Sequence, residues 1–175
     1  LEKFIYAMKG RAYTTILIAD NLSHEELIAK KYEYLTAIQT IEDNFAKLKG
    51  SKLNTQNIVL NLTVERLKKQ LERIERDSNL GMWNFAGYFL GETIAEAEIA
   101  ANTYKSVMAG LNNGIERNTV NLWDDENIIG ELKKYIYNFI HPKFLYSRCS
   151  SNVPKDIEVD PSTIVNSNEL AIHMS

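Results

Sequence analysis

Leu80-Gly81-Met82-Trp83-Asn84-Phe85-Ala86-Gly87-Tyr88-Phe89-Leu90-Gly91 is the most apolar stretch of the chain. It falls short of the ~18 uninterrupted apolar residues that a membrane span needs, and Glu92 stops it. It reads as the first half of a buried fourth helix running to about Leu111, with Asn112-Asn113-Gly114 as its stop. Met82, Trp83, Phe85, Tyr88, Phe89 and Leu90 would then cover most of the circumference, which makes this helix the central element. On that reading the fold is all-α.

The flanking segments are read in the same terms. Glu2 to Asp20 is expected to be a first helix, with Ile5, Met8, Ala12, Thr15, Ile16 and Ala19 at three- and four-residue spacing. Ser23 opens a second, because Ser23 followed by Glu26 is a capping box that satisfies orphaned backbone donors. Its apolar stripe is Leu27, Tyr32, Leu35, Ile38, Ile41, Phe45 and Leu48, with Gly50 as C-terminal cap. A third helix ends near Ser78 and carries Leu60, Val64, Leu67, Leu71 and Ile74, an a/d seam. Two long helices joined by a short turn should lie antiparallel.

Asp124 or Asp125 caps a fifth helix with Ile128, Ile129, Leu132, Tyr135, Ile136, Phe139 and Ile140, stopped by Pro142. Tyr135 and Phe139 are expected on its core side. From Arg148 the chain turns polar, with only short apolar pieces such as Ile164-Val165 and Leu170 with Ile172. The expected architecture is a bundle of about five helices over residues 1–147. Two or three of these are long and antiparallel. A polar, irregular C-terminal tail, 148–175, packs on the bundle or on a partner.

Composition narrows the function classes. The chain has 175 residues, enough for one domain with a core. A net charge of −3 is not the basic profile of a dedicated nucleic-acid binder. The single cysteine, Cys149, can form neither an internal disulfide nor, by itself, a zinc site, and it reads as an incidental thiol. No signal peptide is expected. A start at Leu1 leaves a mature form and an excised domain equally open, so the compartment, cytoplasmic or extracytoplasmic, is not assigned.

Few residues suggest chemistry. His24 opens His24-Glu25-Glu26-Leu27-Ile28, but a zinc-protease helix needs its second histidine where Ile28 stands. His24 therefore reads as a solvated first-turn residue. Glu92 and Glu96 lie one helical turn apart, in line with Asn84 and Tyr88. A di-metal bundle site would also need Glu-x-x-His pairs, which the sequence lacks. Gly87, Gly91 and Ala95 at four-residue intervals would let another backbone approach closely, in the core or in a second copy. Arg66, Lys69, Arg73 and Arg76 form a basic stripe. Glu65 and Glu72, each four residues before a cation, make it a solvated ion-paired face rather than a phosphate site. His141 precedes Pro142 past a helix end, where a protonated ring would suit the helix dipole.

Gly87-Tyr88-Phe89-Leu90-Gly91, Gly130-Glu131-Leu132 and His141-Pro142 resemble the Rap1a/Tai immunity proteins over those short pieces. That family's paired cysteines are missing, so no functional residue is carried across.

No nucleophile elbow, phosphate loop or dinucleotide fingerprint occurs, and no cofactor or metal is expected. The leading expectation is a non-enzymatic helical interaction module: an adaptor, an inhibitor or immunity protein, or an assembly subunit. A protein partner or self-association is expected to use Gly87, Gly91, Tyr137, Phe144 or Tyr146. The alternative is a helical sensor or small-ligand domain with Trp83, Tyr88, Glu92 and Glu96 lining its pocket. An enzyme pairing Glu92 or Glu96 with His141 or His24 stands third.

Overall fold

A computed structural model describes residues 1–48, 54–108, 120–145, 158, 159 and 161–174. The chain divides into two compact units, Leu1–Asp20 with Trp83–Ser175, and Asn21–Met82.

The first unit is built on a three-stranded antiparallel sheet, so the all-α helical bundle is overturned in favour of a mixed α and β fold. The expected first helix is a short helix α1 (Glu2–Ala7) followed by strand β1 (Tyr13–Asn21). The expected fourth helix is strand β2 (Met82–Gly91) followed by helix α4 (Ile94–Met108). The helical hairpin α2 (His24–Leu48) and α3 (Asn54–Asp77), then a 3-10 turn over Ser78–Leu80, lies between β1 and β2 in sequence. Helix α5 (Glu126–Tyr137) follows, then the two-residue strands β3 (Phe144–Leu145) and β4 (Glu158–Val159), paired antiparallel. Strand β5 (Thr163–Asn166) and helix α6 (Ser167–Met174) complete the chain. The sheet order is β1-β2-β5, so β2 is central.

Strand alternation explains why β2 is apolar throughout. Successive side chains point to opposite faces. Trp83, Phe85 and Phe89 pack on one face with Tyr13, Leu17 and Ala19 of β1, Phe4 and Met8 near α1, Ala100 and Tyr104 of α4, Val165 of β5 and Leu170 of α6. Ala86 and Tyr88 pack on the other with Ile16 and Ile18 of β1 and with Ile128, Leu132 and Ile136 of α5. A strand covered by helices on both sides carries a near-continuous apolar run, and its residue count matches that of a short buried helix. Gly10 (φ 81) and Gly81 (φ 82) sit just before β1 and β2 and let the chain turn where a side chain would be strained.

Phe4 ties the larger core together. It is 2% exposed and meets Tyr13, Tyr104 and Phe89 edge-on, with ring centroids 5.5, 5.5 and 6.1 Å away. Such pairs contribute about 0.5–1.5 kcal/mol each beyond area burial.

The polar C-terminal stretch is not irregular where it is described. Asn166 caps α6 in a reciprocal box: its side-chain oxygen accepts from the Glu169 N–H at 2.8 Å, and its own N–H donates to Glu169 Oε2 at 2.9 Å. Val165 and Leu170 are buried in the same core as Phe4. On α5, Asp125 is the N-cap, accepting from the Asn127 N–H at 2.9 Å. The buried residues of α5 are Leu132 and Ile136. Tyr135 and Phe139 are 43% and 68% exposed, so their placement in the core is corrected. The helix ends at Tyr137, and Phe139 turns outward at φ 56. The caps expected at Gly50 and at Asn112 to Gly114, and Cys149, lie outside the described residues.

Glycine substitutions test the local geometry. A Cβ at Gly91 would lie 2.7 Å from the Ala97 nitrogen, 2.8 Å from Glu96 Cβ and 2.9 Å from the Thr93 carbonyl oxygen. Gly91→Ala is therefore expected to lower the thermal midpoint. Gly130 sits within α5 with nothing near its added Cβ. Gly130→Ala should stabilise by up to about 1 kcal/mol through helix propensity. Thermal or urea unfolding of the two variants measures both effects, and equal shifts would contradict the packing described.

Candidate interaction surface

The α2–α3 hairpin is a two-helix antiparallel pair, and its residues fall on heptad spacing. On α2 the inward stripe is Leu27, Lys31, Tyr34, Ile38 and Ile41; on α3 it is Leu60, Val64, Leu67, Leu71 and Ile74. Leu27, Ile38, Val64 and Ile74 are buried at 6, 6, 8 and 1% exposure, and the remainder are half-buried. Lys68 Nζ meets Glu42 Oε1 at 2.8 Å across the two helices, an exposed pair. The base is closed by the Leu22 N–H donating to the Met82 carbonyl at 2.9 Å. It is capped by Ser23 and Glu26, whose carboxylate accepts from the Ser23 N–H and hydroxyl at 2.8 and 2.7 Å. Those bonds hold the Glu26 carboxyl below its usual range. The Arg76 guanidinium donates two bonds, 2.7 and 2.9 Å, to the buried Asp77 carboxylate.

One consequence of the heptad is that Tyr32 and Leu35 do not belong to the seam. With Ile28 they form a second stripe at i, i+4 and i+7 on α2, exposed by 40, 67 and 48% for Ile28, Tyr32 and Leu35. Beside it lies a shallow, open depression lined by Ala29, Tyr32, Glu33, Thr36, Ala37, Thr40 and Ile41, mostly apolar in surface. On α3, Ile58, Val59 and Leu62 are also exposed. The sequence signal was the register itself: Tyr32 and Leu35 depart from the four-three spacing that Leu27, Tyr34, Ile38 and Ile41 obey.

The residues expected to form a site are dispersed. Trp83 and Tyr88 differ by an odd number of positions on a strand, so they lie on opposite faces of the sheet and cannot line one pocket. The Trp83 indole N–H donates to Ser167 Oγ at 2.9 Å. Glu92 is exposed after β2, and Glu96 closes a capping box with Thr93, accepting from its N–H at 3.1 Å. Gly87 faces the core: a Cβ there would lie 3.1 Å from the Phe89 ring and 3.2 Å from Leu17 Cδ2. Tyr137 is exposed at the end of α5, His24 is exposed at the start of α2, and Phe144 pairs with Val159 across β3 and β4. Tyr146 lies outside the described residues.

Both remaining histidines pair with tyrosines that are distant in sequence. His141, just past α5, is buried at 6% exposure. Its Nε2 lies 3.2 Å from the Asn84 carbonyl oxygen and 3.5 Å from Asp20 Oδ2. A carbonyl can only accept, so Nε2 carries the proton, and in the neutral ring Nδ1 accepts from the Tyr88 hydroxyl at 2.9 Å. An Asp–His–Tyr chain has the connectivity of a proton relay, but the Tyr88 side of it is buried at 6% exposure. We read it as a clasp holding the segment after α5 to β2. On the opposite face, His173 Nδ1 and the Tyr104 hydroxyl are 2.8 Å apart, and the imidazole lies 4.4 Å from the Phe85 ring centroid. Burial pushes the Tyr104 phenol well above its usual range. Among the described residues no cluster of three metal-ligating side chains occurs, and no helix is long and apolar enough to cross a membrane.

Compared with known proteins, the chain matches no family model, no curated protein and no solved structure.

Two predictions follow from the histidine pairs. Tyr88→Phe leaves His141 Nδ1 buried without its donor and should cost about 1–3 kcal/mol in urea unfolding; a negligible loss would mean the clasp is idle. For His173, burial lowers the imidazole pKa and Glu169 opposes the shift. The fold thus favours the neutral ring. The resulting stability is fully present above the ordinary histidine value of about 6.5 and is lost as pH falls through the lower folded value. Unfolding curves of His173→Gln across that window should show a shallower acid-side loss than the native chain.

Proposed function

We propose that the protein is a non-enzymatic interaction module whose α2 stripe docks an amphipathic helix of a protein partner. The observation that carries this reading is that α2 has two apolar stripes and α3 covers only one. Solvent-exposed Ile28, Tyr32 and Leu35 sit on successive turns, the spacing at which one helix reads another. Tyr32 is the natural anchor, because a tyrosine supplies large contact area at low entropy cost. Among the described residues the adjoining depression is lined from α2 alone, so no second described element closes over a small molecule there. That favours a helix over a compact ligand. Lys30 and Glu33, paired at 2.9 Å, supply a polar margin.

The test is site-specific photo-crosslinking in cells that produce the protein. A crosslinker replacing Tyr32 should give one discrete adduct, and one replacing Glu72 on the exposed face of α3 should give none. Leu35→Glu should abolish the Tyr32 adduct while leaving the circular dichroism unchanged. With a purified partner, Tyr32→Ala should weaken binding by about 2 kcal/mol, as hot-spot residues do. Equal crosslinking from both positions, or none from either, would remove the basis for this reading.

A further inference from the structure

We infer that β1 is the self-association edge of the sheet, pairing antiparallel with β1 of a second copy. This rests on a different surface from the α2 stripe and stands or falls separately.

Among the described residues the sheet has two edges. One is β5, four residues long; the other is β1, nine residues long. Leu22 turns its N–H to β2 by donating to Met82. By strand alternation the even-numbered residues of β1 do the same, and Thr15, Leu17 and Ala19 turn their N–H and C=O groups to the open edge. Proteins guard such edges with lysine, proline or bulges. The run Tyr13-Thr14-Thr15-Ile16-Leu17-Ile18-Ala19 has no charged residue and no proline. It is rich in β-branched side chains that suit a strand. A row of directional backbone donors and acceptors asks for another strand, which a helix or a small molecule cannot supply.

Charge selects the occupant and the direction. The N-terminal end of the strand is basic, with Lys9 and Arg11, and its C-terminal end carries Asp20. Asp20 is 53% exposed beside His141. Antiparallel pairing of two copies about Ile16 sets Asp20 of each strand beside Arg11 of the other. Parallel pairing would bring like charges together. A two-fold axis perpendicular to the sheet also keeps corresponding faces on the same side. The helix layer of α1, α4 and α6 then continues beside its counterpart, giving the isologous contact typical of dimers.

The experiment uses the full chain. Light scattering over a wide concentration range should show the mass rising from 20.0 kDa toward twice that value. Amide exchange should find the Thr15, Leu17 and Ala19 N–H groups protected at high concentration and exchanging faster on dilution. Thr15→Pro removes an edge donor, and among the described residues the Thr15 hydroxyl has no hydrogen-bond partner to lose. It should raise the dissociation constant by more than about tenfold with unchanged circular dichroism. Thr14→Lys, at an exposed position, gives the same readout should the proline variant fail to fold. Leu35→Glu should leave the mass unchanged, which separates this edge from the α2 stripe. A monomer at all concentrations overturns the inference. So do edge amides protected in a monomer, because another segment of the same chain would then occupy the edge.

Discussion

The constraint on which the first unit depends is that β2 is apolar on both faces. A central strand with Trp83, Phe85 and Phe89 on one side and Ala86 and Tyr88 on the other cannot leave either side to water. The other elements of that unit answer this demand. Helices α1, α4 and α6 cover one face, α5 covers the other, and β1 and β5 satisfy the backbone between them. Strand β5 and helix α6, at the polar C-terminal end, meet the same requirement. Val165 and Leu170 are buried in the core with Phe4, and the Asn166–Glu169 box caps α6.

The histidines of the first unit enter its cores paired with tyrosines. Each histidine in the first unit meets a tyrosine hydroxyl within 2.9 Å, one pair on each face of the sheet. An unpaired imidazole or phenol in such a place would cost more than the bond contributes, so each pair fixes the register of its segment rather than adding much net stability. His141 holds the segment after α5 to β2, and His173 holds α6 against α4 and Phe85. Positions beside buried tyrosines serve these histidines better as clasps than as proton donors to a substrate.

The hairpin unit follows a different rule. Two helices can satisfy one stripe each, and a third stripe is left over. Lys31 in the seam and Tyr32 outside it show that registry, not hydrophobicity ranking, assigned the positions. The hairpin unit leaves apolar side chains exposed, whereas the sheet unit leaves backbone: β1 is an edge strand whose run Tyr13–Ala19 carries no charge.

What the sequence by itself determined is local. The Ser23–Glu26 cap, the Asp125 cap and the α3 seam are each set by residues within one or two turns, and each is found where the spacing puts it. The α2 stripe was legible only in part, because Tyr32 and Leu35 satisfy a loose helical periodicity yet miss the heptad. The tertiary structure decided the rest. A ten-residue run such as Met82–Gly91 fits a buried helix or a two-faced strand, and the strand forms where β1 and β5 satisfy its backbone and helices cover both faces. The same holds for Tyr13–Asn21, which is a strand because β2 offers it a partner. The tyrosine–histidine pairs, separated by 53 and 69 residues, exist only once those layers have assembled, since hydrogen bonds between such distant side chains leave no periodicity in the chain.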